Sequence, residues 1–156
     1  MKTLLESMRF VNALPPVADA FSGTVYPAGI NCEGIGKVFF IVQKGVGTTG
    51  TSTITVVAGD TASPLTETAI PFKYRRIASN NTTIGAVTVA ATTGFVTTAG
   101  SSDSYIIEVD CQNAGSTDYA YIHLKAVESA DNPVLGGVYA FGTDLRWADD
   151  TSDIVS

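Results

Sequence analysis

Few residues in this chain of 156 have side chains that could do covalent or acid–base chemistry, and their spacing decides what that chemistry would be. His123 is the only histidine, and Cys32 and Cys111 are the only cysteines. Attack by a thiolate needs a base beside it, and Cys111 comes near His123 if the strands carrying them pair as a hairpin. No Gly-rich elbow or oxyanion loop accompanies the pair, so His123 is read as a hydrogen-bonded structural residue and the cysteines as buried free thiols. Glu108 and Asp110 share one face of a strand and resemble paired carboxylates, but a solvated sheet face accounts for them. One histidine and two cysteines without a CxxC fall short of a zinc set, and Asp149, Asp150 and Asp153 do not follow the spacing of a Ca²⁺ loop. The Gly/Thr run Gly45–Ser52 lacks the lysine and following helix of a phosphate loop. The sequence is therefore read as non-enzymatic, with no catalytic, cofactor-binding or metal-binding residue.

These residues sit on elements that alternate with period 2. Tyr105, Ile107, Val109 and Cys111 share a face, with Ile106, Glu108 and Asp110 opposite. In the second strand Ala120, Ile122, Leu124 and Ala126 oppose Tyr119, Tyr121, His123 and Lys125. Gln112–Thr117 is expected to close a hairpin between them. Gly36–Lys44 is apolar on both faces (Val38, Phe40, Val42 against Phe39, Ile41), the pattern of a central strand covered on both faces. Thr51–Ala58 alternates cleanly and is expected to pair with it through Gly45–Ser52. Thr68–Ser79 reads as one strand with Pro71 near its start. Short strands are expected around Ile84, Val87, Val89 and Phe95–Val96. Two glycines disfavour helix in Val134–Phe141, so a strand is expected there too.

The ends differ from this pattern. Leu4, Leu5, Met8 and Val11 fit a short amphipathic helix over residues 3–13, ahead of Pro15-Pro16. The expected organisation is an N-terminal arm over 1–19, helical or extended, a single β domain over 20–143, and an acidic, mobile tail over 144–156. The fold class is all-β: an antiparallel β-sandwich or barrel, jelly-roll-like.

Charge bounds the partners. Lys and Arg number nine against fifteen Asp and Glu, a net charge of −6, which argues against gripping phosphates of nucleic acid or an anionic membrane. Charged residues are only 15% of the chain, and a surface so weakly charged is cheaply covered by a partner. Candidate contacts are the apolar arm residues Leu4, Leu5, Met8 and Phe10, together with Lys73, Arg75 and Arg76, three of the nine basic residues within four positions. Met1–Leu14 lacks the apolar core of a signal peptide, and no run is long enough for a transmembrane helix.

Four stretches carry a resemblance: GINCEGIGKVFFIVQKG (Gly29–Gly45), AIPFKYRRI (Ala69–Ile77), AGSSDSYIIEVD (Ala99–Asp110) and YIHLKAVESADNPVLGGVYAF (Tyr121–Phe141). In layout the chain resembles small virion proteins of tailed bacteriophages that are encoded with the head genes and act as capsid auxiliary, decoration or cement proteins. It departs from them after the PVLG segment, where an acidic tail replaces a short Arg/Tyr one. The resemblance implies a non-enzymatic protein on the capsid exterior, made in the host cytoplasm, that stabilises the shell by bridging major capsid protein subunits as a homo-oligomer, with a trimer the guess. The competing expectations are a head–tail joining or tail-tube component and, from another class, a cell-surface or carbohydrate-binding β-domain.

Overall fold

The computed structural model describes residues 8–46, 49–63, 66–79, 84–100, 102–115 and 119–143. Among these residues twelve strands and one helical turn are formed: β1 (Arg9–Val17), β2 (Thr24–Val25), β3 (Ile30–Asn31), β4 (Lys37–Lys44), β5 (Thr51–Gly59), β6 (Glu67–Ile70), β7 (Phe72–Ile77), β8 (Thr88–Ala90), β9 (Phe95–Val96), β10 (Ser104–Asp110), α1 (Cys111–Gly115), β11 (Tyr121–Ala130) and β12 (Gly136–Thr143). They build two antiparallel sheets. Sheet A runs β1-β12-β4-β10-β7-β8, and sheet B runs β2-β11-β5-β6, with β3 also on β11 and β9 also on β5. The sheets pack face to face, so the chain is a β-sandwich rather than a barrel.

Alternation explains which residues meet between the layers. Val38, Phe40, Val42, Tyr105, Ile107, Val109, Val138 and Ala140 point inward from sheet A. Ile54, Val56, Ala58, Ile122, Leu124 and Ala126 point inward from sheet B. Tyr105, Phe40, Ile107, Leu124 and Ile122 are among the largest fully buried side chains, each worth roughly 1.5–3 kcal/mol of burial.

This inter-layer packing overrides the two hairpins expected from sequence. β10 pairs with β4 and β7, whereas β11 pairs with β2, β3 and β5. The apolar faces of β10 and β11 face each other across the core, and one turn of helix, α1, begins the crossing between the sheets. Likewise β4 and β5 lie in opposite sheets rather than side by side. The stretch read as one strand, Thr68–Ser79, divides at Pro71: β6 belongs to sheet B and β7 to sheet A. Proline has no N–H to give a ladder, so the chain changes layers there.

The N-terminal segment also corrects the sequence reading. Arg9–Val17 is a strand, not part of a helix over 3–13, and the residues before Met8 lie outside the described residues. β12 needs a partner for its outer edge, and β1 supplies one from Arg9↔Gly142 to Val17↔Gly136. The register shifts on either side of Leu14 accommodate Pro15 and Pro16 on an edge strand. Val134–Phe141 does form the expected strand, from Gly136 onward.

Candidate interaction surface

The groups with reactive side chains are dispersed, and each is tied into the scaffold. Cys111 begins α1, and its N–H donates to Gly36 O at 3.0 Å. Cys32 N–H donates to Ala120 O at 2.8 Å. The two thiols are free and meet each other, and the hydrogen bond with Cys111, followed by burial, pushes the Cys32 thiol far above its ordinary range. Cys111 thus meets Cys32 and not His123, which projects from the outer face of sheet B. The His123 ring is fully buried, and its Nε2–H donates to Thr61 O at 2.8 Å. Gly29 lies directly over it: a Cβ there would stand 2.1 Å from His123 Cε1. Nδ1 is buried with no hydrogen-bond partner among the described residues. Burial lowers the imidazole pKa, and the Thr61 hydrogen bond and the charges of Glu67 and Asp60 offset this only in part.

Beside it Lys125 forms an ion pair with Glu67 and lies 5.4 Å from the centre of the Tyr26 ring. Burial pushes the Glu67 carboxyl up, but hydrogen bonds from Lys125 and Tyr26, with the Lys125 charge, leave it below the ordinary carboxylate range. The same bonds hold the Lys125 ammonium above its ordinary value.

The two carboxylates of β10 do not work as a pair. Glu108 accepts from Lys37 Nζ at 2.9 Å, and Asp110 accepts from the Gln112 N–H at 2.9 Å at the start of α1. Asp149, Asp150, Asp153 and Trp147 lie outside the described residues.

The candidate contacts fare differently. Leu4 and Leu5 lie outside the described residues, and Met8 is half-buried ahead of β1. Phe10, Lys73 and Arg75 converge on the outer face of sheet A. Arg76 does not: its neighbours in the alternation point inward, and its Nε donates to Asp103 at 2.8 Å. Asp103 is fully buried, accepts from the Ser79 N–H at 3.2 Å, and through its carbonyl accepts from the Lys44 N–H. Lys44 is itself buried and reaches Thr98 O. Burial lowers the Lys44 pKa against the opposing pull of Asp103. This polar cluster closes one end of the sandwich. Sequence reading missed it because Lys44 and Asp103 lie 59 positions apart, and no local pattern marks a lysine that turns inward.

Pairing register lays out the outer face of sheet A in rows across the strands. One row reads Phe10, Phe141, Phe39, Glu108, Lys73 and Val89 from β1 to β8. The next reads Tyr139, Ile41, Ile106 and Arg75. Phe39 stacks on Phe141 with ring centres 5.0 Å apart, and Phe10 leans on Phe141 at 5.3 Å. Phe10 is 55% exposed, Tyr139 42%, Val87 51% and Val89 70%. Such a contiguous exposed apolar face marks a contact surface more often than chance. Phe39, Ile106, Val87, Lys73, Arg75 and Glu108 line a hollow of about 230 Å³ in its β10–β7 half. Sequence reading missed Phe39, Ile41, Phe141 and Tyr139, although Phe39 and Ile41 carried a signal: they oppose the core-facing residues of β4 and are apolar as well.

No family model matches the chain, and neither curated proteins nor solved structures gave a match. The fold is an antiparallel β-sandwich, and among the described residues the outer face of sheet A carries the apolar surface.

Proposed function

We propose that this chain is a non-enzymatic phage virion protein that decorates the capsid exterior and stabilises the shell by bridging major capsid protein subunits. The observation that carries the reading is the aromatic half of the outer face of sheet A. Phe10, Phe141, Phe39 and Tyr139 lie on three adjacent strands of a stiff sheet. Its four side chains are uncharged and stand on paired strands, so placing them on a partner fixes little more than their rotamers. Many weak copies of such a contact, on a repeating shell or within a trimer of this chain, add through avidity. The layout resemblance in the sequence points the same way.

The test is binding of the purified protein to shells that lack it. It should cosediment with them and raise their melting temperature, and Phe10→Ser with Tyr139→Ser should weaken binding by tenfold or more. Failure to bind would overturn the reading, as would binding unaffected by these two changes for the choice of face. Deletions need care. Removing residues 1–7 leaves β1 in place, whereas removing residues 1–14 strips an edge strand from β12 and uncovers Phe141.

A further inference from the structure

The β10–β7 half of the same face has features that the aromatic half lacks. Its hollow has an apolar floor of Phe39, Ile106 and Val87, and Lys73 and Arg75 at one side. Glu108, on the other side, has its charge answered by Lys37 at 2.9 Å. Neither Lys73 nor Arg75 is in an ion pair with a described residue. The hollow therefore suits a ligand with a flat apolar group and carboxylates one or two residues away.

The chain's own last residues have that composition. DLRWADDTSDIVS follows Thr143, with four aspartates against one arginine, and it holds the only tryptophan. Asp149 and Asp150 come two and three positions after Trp147. Distance permits the contact within one molecule. Thr143 pairs with Lys37, so the hollow lies two strands across and two to four residues along the sheet, roughly 14 Å away at about 4.8 Å between strands and 3.3 Å per residue. Four extended residues from Thr143 to Trp147 span about 13 Å, and the indole side chain adds the rest. Tethering supplies an effective concentration in the millimolar range, against which a second copy competes poorly in dilute solution.

We infer that residues 144–156 dock on the outer face of sheet A of their own chain, Trp147 filling the hollow over Phe39, Ile106 and Val87, with Asp149 and Asp150 against Lys73 and Arg75. Indole stacked beside a cation gains a cation–π attraction in addition to burial. Phe39 borders both halves, but the hollow and the tail alone carry the inference.

Trp147 reports on the tail alone. In the full chain its fluorescence should be shifted to shorter wavelength, and iodide quenching reduced several-fold, relative to a free peptide of residues 143–156. Both properties should be the same at low and high protein concentration. Lys73→Glu with Arg75→Glu should return Trp147 to the values of the free peptide. Asp149→Lys with Asp150→Lys, which leaves the sandwich untouched, should do the same, and combining all four changes should restore the shift. Quenching equal to the free peptide in the unaltered chain would overturn the inference, as would a shift that ignores both charge reversals. A shift that appears only at high concentration together with dimers would overturn docking within one chain, in favour of exchanged tails. Shell binding is not among these readouts, so the tail and the decoration role fail independently.

Discussion

The two outer faces of this sandwich are built from similar strands and end in opposite states. On sheet B, His123 and Lys125 project outward from a central strand, and the chain folds back to cover them: Gly29 and Tyr26 from one side, Thr61 and Glu67 from the other. On sheet A, Phe39, Ile41 and Ile106 project outward from central strands, and among the described residues only their own neighbours in the sheet cover them. Polar groups that cannot be left unsatisfied are enclosed and answered, while apolar groups, which water tolerates at a cost, are left on display. Among the described residues, that is the reverse of what burial alone would select. Changes on sheet B should therefore register in folding, and changes on sheet A in binding.

The largest effect is expected at Gly29. A methyl group there would lie 2.1 Å from the His123 ring, whose other side is held by Thr61. Gly29→Ala should cost about 2 kcal/mol, since an overpacked site must shift backbone or force a strained rotamer. A urea midpoint unchanged within error would mean that the cover over His123 yields easily, and the contrast between faces would lose its main support.

Next comes pH. His123 has its pKa lowered from the ordinary 6.5, chiefly by burial. Above 6.5 both folded and unfolded chains hold a neutral ring there. Below it the unfolded chain takes up a proton that the folded one refuses, so stability is lost as pH falls from 6.5 towards the folded value. The slope stays below the roughly 1.4 kcal/mol per pH unit that one whole proton would give. Asp60 and Glu67 favour the charged form of the ring, Lys125 on the same strand is paired with Glu67, and the Tyr121 ring lies 6.3 Å away. His123→Gln should flatten the part of the stability–pH curve just below 6.5. If the slope survives that change, other groups carry it.

Much of this contrast was legible in the sequence, and the rest was not for a definite reason. Period-2 alternation identified β4, β5, β10 and β11 and the inner faces of β5, β10 and β11, because alternation is local; β4, apolar on both sides, reads as covered on both, whereas Phe39 and Ile41 are only half-buried. Which strand pairs with which is not local. β10 and β11 look like a hairpin in sequence, yet each pairs with other strands, and their apolar faces close on one core from opposite sheets. Pro71 showed a break in the ladder, but not that the chain changes sheets there. Lys73, Arg75 and Arg76 looked equivalent as a basic cluster. The pleat separates them, sending Arg76 to the buried Asp103 and leaving Lys73 and Arg75 beside an apolar hollow. Residues 9–13 read as the end of a helix because Val11 falls at helical spacing from Leu4 and Met8; the open edge of β12, invisible in a local window, decides for strand.

A smaller effect on folding, with a larger one on binding, is expected for Phe10 and Tyr139. Each is about half exposed. Losing the Phe10 contact with Phe141 should cost about 0.5–1 kcal/mol, while shell binding falls by tenfold or more. A loss of 3 kcal/mol at either position would place it in the folding core and erase the distinction between faces.

The smallest effect is expected at Val89. It ends the row that begins with Phe10 and is 70% exposed, on the three-residue strand β8. Val89→Thr keeps the branched shape that suits a strand and replaces one methyl with a hydroxyl already in water, so stability should stay within about 0.5 kcal/mol. Its value lies in dividing the bare face. If the shell rests on the aromatic half alone, Val89→Thr leaves shell affinity unchanged, because Lys73 and Glu108 separate the two ends of the row. If shell affinity falls as far as it does with Phe10→Ser, the partner spans all six strands and must displace whatever lies over Lys73 and Arg75. In that case binding of the full chain should strengthen when residues 144–156 are removed, and a single titration of the truncated protein distinguishes the two arrangements.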